Sequence, residues 1–263
     1  MKANAARWLG PLEKVIWKPV FERGFLASGS ISFKTPKVRA ELIDHPFWST
    51  LREITGPADE DFLLGCALPD LRAVFDDLPA RLVARMAVRD QPYALERLTV
   101  SPDPLDEEEA AALRSAPALA RVTHVSVSKG WHPDRVAWLL SGALGERVRS
   151  IAVYSPDSPV GAWLEAAGAL RSLLRFEFSG GGICIVERDG WGEPWRLDLG
   201  WFPDFTADRL RELDRWLVPY ASRIGAVVVR PHHALVAVDL EPILSHLQRR
   251  LPSTPVEARP AKE

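Results

Sequence analysis

Metal, phosphate and nucleophile chemistry each need particular side chains at particular spacings, and this chain carries few of them. Its histidines are His45, His124, His132, His232, His233 and His246, and its cysteines are Cys66 and Cys184. A zinc centre needs several such ligands converging on one point, and no HExxH or CxxC occurs. His232-His233 is the one cluster. Adjacent residues of a strand point to opposite faces, so the pair converges only in a tight turn, and a solvated hairpin tip is the expected reading. The cysteines stand far apart and are read as small buried side chains in a reducing compartment. Gly180-Gly181-Gly182 follows a strand-like segment, as a phosphate cradle would. The P-loop lysine and hydroxyl residue are missing, however, and a strand rather than a helix is expected next, so the glycines read as a hairpin entry. No G-x-S-x-G elbow occurs; Ser28, between Ala27 and Gly29, lacks the first glycine. Asp59-Glu60-Asp61 and Glu107-Glu108-Glu109 read as solvated or helix N-terminal charge. The expectation is therefore no catalytic residue, no metal, no cofactor and no small-molecule substrate. The alternatives are a hydrolase or transferase with its site near the Gly180–Gly182 and His232–His233 hairpins, or a nucleic-acid-associated module.

Recognition is the chemistry left. One pattern recurs: an apolar residue, two of any kind, an apolar residue, one of any kind, and an apolar residue. It appears as Leu95, Leu98, Val100; as Val122, Val125, Val127; as Val148, Ile151, Val153; and as Leu173, Phe176, Phe178. The middle residues, 98, 125, 151 and 176, lie 27, 26 and 25 residues apart. Weaker copies are Leu51 with Ile54, Leu71 with Val74, Leu197 with Leu199, and Ile224, Val227, Val229. The end of each copy alternates apolar and polar, the period of a strand with one buried face. The residues between the apolar ones then form columns on the other face. They read Arg97, His124, Ser150, Arg175, Arg196; Thr99, Ser126, Ala152, Glu177, Asp198; and Ser101, Ser128, Tyr154, Ser179. This is a hydroxyl-rich surface with a mildly basic column and one aromatic. Arg and Tyr are types that dominate binding hot spots. The expected partner-binding residues are Arg97, His124, Ser126, Tyr154, Arg175, Glu177, Arg196 and Asp198.

Helical patterns lie between the strands. Leu105 to Ala116 follows Pro-Asp-Pro with Asp106 to Glu109 in its first turn, where the helix dipole favours acids. Asp134 to Leu144 places Val136, Leu139 and Leu140 on one face, and Ser158 with Pro159 can open a helix through Leu170. Ile183 to Val186, Asp189-Gly190 and Trp195 to Leu199 predict an inserted hairpin. Thr206 can cap a helix from Asp208 to Val218, and Val227 to Arg230 with Ala234 to Val238 predicts a second hairpin. Glu241 to Leu251 is expected as a C-terminal cap helix, and the ten tryptophans as core filler. A unit of strand, loop, helix and loop this short cannot bury its own apolar face; stacked neighbours make one continuous core.

Arg7-Trp8-Leu9-Gly10-Pro11-Leu12, then Phe21-Glu22-Arg23-Gly24-Phe25-Leu26, and later His45-Pro46-Phe47-Trp48-Ser49-Thr50-Leu51 with Leu71-Arg72, resemble segments of bacterial proteins that carry a repeat-companion domain. In that family a small helical domain leads, followed by a "W-L-G-P-L" helix, an "R-G-F-L" strand and degenerate leucine-rich-like repeats. The resemblance implies an interaction scaffold with no assigned chemistry. No companion domain precedes these motifs here, so a shortened relative or a fragment is expected.

The 263 residues are 47% hydrophobic and 26% charged, which is ordinary globular composition. Thirty-three basic against 35 acidic side chains leave a net charge of -2, so no global basic field favours nucleic acid. No apolar run approaches the roughly 20 residues that span a bilayer. The first ten residues have no apolar signal region, so a cytoplasmic protein is expected. The sequence thus predicts an α/β, leucine-rich-repeat-like solenoid with a mostly parallel sheet on one face, helices on the other, and hairpin additions toward the C-terminus. Residues 1–45 are expected to form an N-terminal cap, 46–251 the repeats and 252–263 a frayed tail. A protein partner is expected, without nucleic acid or membrane.

Overall fold

A five-residue strand with one apolar face persists only when neighbours extend its hydrogen-bond ladder and its apolar row. The computed structural model describes residues 7–128, 133–154, 160–179, 183–200, 207–230 and 240–259. The chain forms two compact units, Met1–Ser128 with Ser141–Arg147, and Lys129–Leu140 with Val148–Glu263. Each is α/β, with a sheet of mostly parallel strands and helices.

In the first unit the strands run in chain order across the sheet: β1 (Ile16–Glu22), β2 (Phe25–Ile31), β3 (Glu53–Ile54), β4 (Ala73–Pro79), β5 (Arg97–Ser101) and β6 (His124–Ser128). β1 and β2 are antiparallel across Arg23-Gly24, both at positive φ, the geometry of a two-residue hairpin turn. From β2 onward every pairing is parallel. Ile54, Val74, Leu98 and Val125 form one buried row across β3 to β6, and Leu78, Val100 and Val127 a second. Helices α1 (Pro36–Leu42), α2 (Glu60–Gly65), α3 (Ala80–Ala87) and α4 (Glu107–Ser115) lie between the strands in sequence. α3 buries Leu82, Val83 and Met86, whereas α4 buries only Leu113. α4 starts later than its pattern predicts because Asp106 is the N-cap: its carboxylate accepts from the Glu109 amide, and Glu109 reaches back to the Asp106 amide.

The second unit's strands also lie in chain order: β7 (Ser150–Tyr154), β8 (Arg175–Ser179), β9 (Ile183–Glu187), β10 (Trp195–Gly200), β11 (Ile224–Arg230) and β12 (Val256–Ala258). β7 and β8 are parallel, β9 is antiparallel to both β8 and β10, and β10, β11 and β12 are parallel. The buried row is Ile151, Phe176, Val186, Leu197 and Val227, with Val153, Phe178, Cys184, Leu199 and Val229 beside it. α7 (Val160–Gly168), α8 (Ala207–Tyr220) and α9 (Glu241–Arg250) complete the unit. No described helix is long and apolar enough to cross a membrane.

One local device recurs in both units. Before a strand, an amide bonds the carbonyl three residues back, as in Leu51 to Trp48, Leu71 to Leu68, Val122 to Leu119 and Leu173 to Leu170. All eight side chains are buried. At the next residues one carbonyl of the preceding strand's lead-in accepts two successive amides. Arg52 accepts from Arg72 and Ala73, Arg72 from Glu96 and Arg97, Glu96 from Thr123 and His124, and Arg149 from Leu174 and Arg175. The same local backbone hydrogen bonds thus accompany the apolar spacing at these four lead-ins.

Several expectations are corrected. Asp134 to Leu144 is not one helix: a 3-10 turn (Pro133–Val136) leads into α5 (Ala137–Leu140) and then α6 (Gly142–Gly145), which belong to different units. The break falls at Gly142, with φ +70, where a Cβ would meet the Arg114 backbone at 2.6 Å. Residues 252–259 do not fray, because Val256–Ala258 pair with Val227–Val229. Ser158, Thr206, His132, Gly180–Gly182 and the segment 231–239, with His232-His233 and the second hairpin's partner strand, lie outside the described residues. β11 itself pairs with β10 and β12.

Phe176 is a sharp probe of this packing: it is buried and its ring lies 5.9 Å from Trp163 and 6.3 Å from Phe178. Phe176→Ala should destabilise the chain by about 3–5 kcal/mol in urea unfolding. A loss below about 1 kcal/mol would contradict a close-packed row at this strand.

Candidate functional site

The alternation that buries one set of strand residues fixes the other set on the outer face of each sheet. In the first unit Arg97 pairs with His124 and Thr99 with Ser126, as the columns predict. Arg97 and His124 are exposed, and Ser126 is half-buried. Thr123 Oγ1 lies 2.9 Å from His124 Nδ1. Arg97 makes no ion pair with any described residue. The register adds side chains that the clear repeat copies did not include. Ile16 pairs with Ile31 in the core, so Trp17, opposite Ser30, faces outward at 58% exposure. Val74 is in the buried row, so Phe75 also faces outward, at 49%. Glu53, in register with Ser28 and Ala73, lies on the same face.

The second unit departs from the expected columns. Arg175 and Arg196 are not on adjacent strands: β9 lies between them, in register Arg175, Glu187, Arg196. Glu187 bonds both guanidiniums, and Arg175 also reaches Glu177 at 2.9 Å. Burial pushes the Glu187 carboxyl up, but the hydrogen bonds and charges of Arg196 and Arg175 outweigh it and hold its pKa below the ordinary glutamate value. Burial likewise opposes the Arg175 charge, and Glu177 and Glu187 more than offset it. The expected basic column is therefore a four-membered network of alternating charge. Asp198 is turned to another task as well: its side chain is 13% exposed and accepts from Arg230 Nε at 2.9 Å. Asp198 is in register with Val228, which is itself buried, so the accessible face does not continue across β11. Tyr154 stays 46% exposed and Ser128, by contrast, is buried.

Tryptophans are more than filler. Trp48 and Trp163 are buried, but Trp191 and Trp195 flank the Arg188 guanidinium at 4.7 and 4.4 Å. Arg188 is buried and donates to the carbonyls of Leu173 (2.7 Å) and Leu170 (2.6 Å); burial lowers its pKa. Between α8 and α9, Asp214 accepts from His246 Nε2 at 2.8 Å and Arg250 at 2.5 Å. Both interactions hold structure together; neither leaves a nucleophile or base facing a cleft.

The cysteines are sealed. Burial pushes Cys66 up to about 12, with Asp44 adding to it, and its Sγ lies 2.8 Å from the Ile43 carbonyl. Cys184, in the buried row, is likewise pushed up to about 12 by burial and by Asp198. Such thiols are poor nucleophiles and poor metal ligands at neutral pH. Among the described residues no group of three or more His, Cys, Asp or Glu could hold a metal ion. No family model matches this chain, and neither does any curated protein or solved structure.

The Glu187 network makes a prediction with a definite sign. A carboxyl whose folded pKa lies below its unfolded value of about 4.3 stabilises the fold above that value and loses the contribution as pH falls through the folded pKa. Glu187→Gln should lower stability by a constant amount at pH 5–7, and the gap from wild type should close as the pH drops below about 4. A gap independent of pH down to acid unfolding would show that Glu187 acts through packing alone.

Proposed function

We propose that this chain is a non-enzymatic interaction scaffold, a leucine-rich-like solenoid that takes a protein partner on the outer face of its sheet. The recurrence of the same turn and double-acceptor carbonyl in both units supports the repeat reading. So does the resemblance of the N-terminal motifs to repeat-companion-domain proteins. The observation that carries the functional reading is the set of side chains left in water on that face. In the first unit Trp17 and Phe75 are large and exposed and Arg97 has no carboxylate among the described residues; in the second unit Tyr154 is exposed. Aromatic rings and an unpaired guanidinium are the groups that gain most when a partner excludes water from them. Arg175, Glu177, Arg196 and Asp198, expected from the sequence as contact residues, already pair with one another, with Glu187 or with Arg230, so they are pre-ordered rather than anchors. A phosphate backbone would find Arg175 and Arg196 already occupied, which weighs against a nucleic acid on this face.

The test is quantitative co-purification from the native host. The triple variant Trp17→Ser, Phe75→Ser, Arg97→Glu changes only exposed side chains. It should recover at least about tenfold less of any stoichiometric partner than wild type does. Arg81→Glu, at an exposed position of α3, should recover as much as wild type. Equal recovery by the triple variant and wild type would remove the sheet face as the contact surface.

A further inference from the structure

The helical side of the first unit carries a second surface, independent of the sheet face. α3 turns Leu82, Val83 and Met86 into the core, and α4 sends in only Leu113. Where the two helices face each other their side chains are small: Ala84 from α3, and Ala111, Ala112 and Ser115 from α4. None of these reaches across, so an open groove of about 570 Å³ remains, with Val88 at its edge 57% exposed. A trough of that size with a largely apolar floor is within the range of specific binding sites.

Its charge is one-sided. Asp106, Glu108 and Glu109 line it, and Arg85, the basic side chain beside them, is already ion-paired with Glu60. Asp106 and Glu109 spend hydrogen bonds on the α4 capping box but keep their charges. Glu108 is exposed and makes no ion pair with any described residue. The neighbouring Glu107 is balanced by Arg114 at 2.6 Å. Three carboxylates thus stand over an apolar floor, and among the described residues that line it no unpaired cation answers them. Two side-by-side helices with small residues between them offer a ridge-and-groove seat to a third helix.

We propose that the groove between α3 and α4 seats a basic amphipathic helix of a partner protein. One apolar side chain of the visitor fills the space over Ala84 and Ala112 against Val88. Lysines or arginines flanking that side chain face Asp106, Glu108 and Glu109. This is the helix-in-groove mode, with complementary charge setting which helices are admitted.

The experiment uses the full chain and two fluorescein-labelled synthetic helices, one of leucine and lysine at amphipathic spacing and one with glutamate in place of every lysine. Fluorescence anisotropy should show saturable binding of the lysine helix, weakening as salt rises, and no binding of the glutamate helix. Ala112→Trp, which fills the groove, and Glu108→Lys, which reverses its free charge, should each weaken the lysine helix at least about tenfold. The sheet-face variant Trp17→Ser, Phe75→Ser, Arg97→Glu should bind it as wild type does. If Ala112→Trp fails to fold, the exposed Glu108→Lys substitution decides alone. Equal binding of both helices, indifference to Glu108→Lys, or loss of binding in the sheet-face variant would each overturn the assignment to this groove.

Discussion

A strand of five residues cannot close its own apolar face, and that constraint organises both units. Leu98 is sealed because Val74 and Val125 stand in register on either side of it, and Phe176 because Ile151 and Val186 do. The register is held by backbone rather than side chains. The carbonyls of Arg52, Arg72, Glu96 and Arg149 each bind two successive amides of the following lead-in, which fixes where the next strand begins. A slip of one residue would turn every apolar side chain outward. The doubled bonds therefore specify the face on which all later side chains appear.

Short helices bring a second demand, since each ends on carbonyls that have no amide within the helix. Side chains from later in the chain answer several of them. Trp48 Nε1 donates to the Leu42 carbonyl at the end of α1. Arg89 donates to the carbonyls of Leu63 and Cys66 at the end of α2, with Tyr93 sharing the first. Arg188 does the same for Leu170 and Leu173 beyond α7, held between two indole rings. A guanidinium suits this role because its several donors satisfy more than one carbonyl at once. The buried Arg188 and the half-buried Arg89 thus answer helix-end carbonyls, and Arg188 keeps its place without a carboxylate partner among the described residues.

The sequence carried most of the strand register and little of the site. Leu98, Val125, Ile151 and Phe176 were legible because burial on one face leaves a two-residue period. The signal in fact began earlier: Trp48, Leu68, Leu119 and Leu170 precede the pattern by three residues and are buried with it. A reader extending the motif upstream would have placed the weaker copies at Leu51 and Leu71 with equal assurance. Insertion of β9 between β8 and β10 was readable as a hairpin, yet its effect on the columns was not. Whether Arg175 meets Arg196 or Glu187 depends on which strand is neighbour to which, and composition says nothing about that. Trp17 and Phe75 were missed because β1 and β4 each carry a register irregularity that blurs the alternation. The strand at Val256–Ala258 was missed because a Pro-rich, charged stretch looks like a tail until a neighbouring strand offers its edge.

Charge pairing is what separates the structural from the available part of the surface. Where Glu187 sits between Arg175 and Arg196, a partner gains little by adding another ion, because desolvating an already neutralised network costs more than a new contact returns. Arg97, and Glu108 over a floor of alanines, are exposed and make no ion pair among the described residues, so a partner bound there as proposed would meet a charge not already neutralised. Exposed aromatics follow the same division: Trp191 lies against the Arg188 guanidinium, whereas Trp17 stands opposite Ser30. The first unit pairs charges too, as in Arg39 with Asp59 and Arg52 with Glu22, but Arg97 and Glu108 have no ion pair among the described residues. The two proposed contact surfaces therefore both draw on residues before 128 and differ in character: aromatic and singly basic on the sheet, apolar and acidic between the helices.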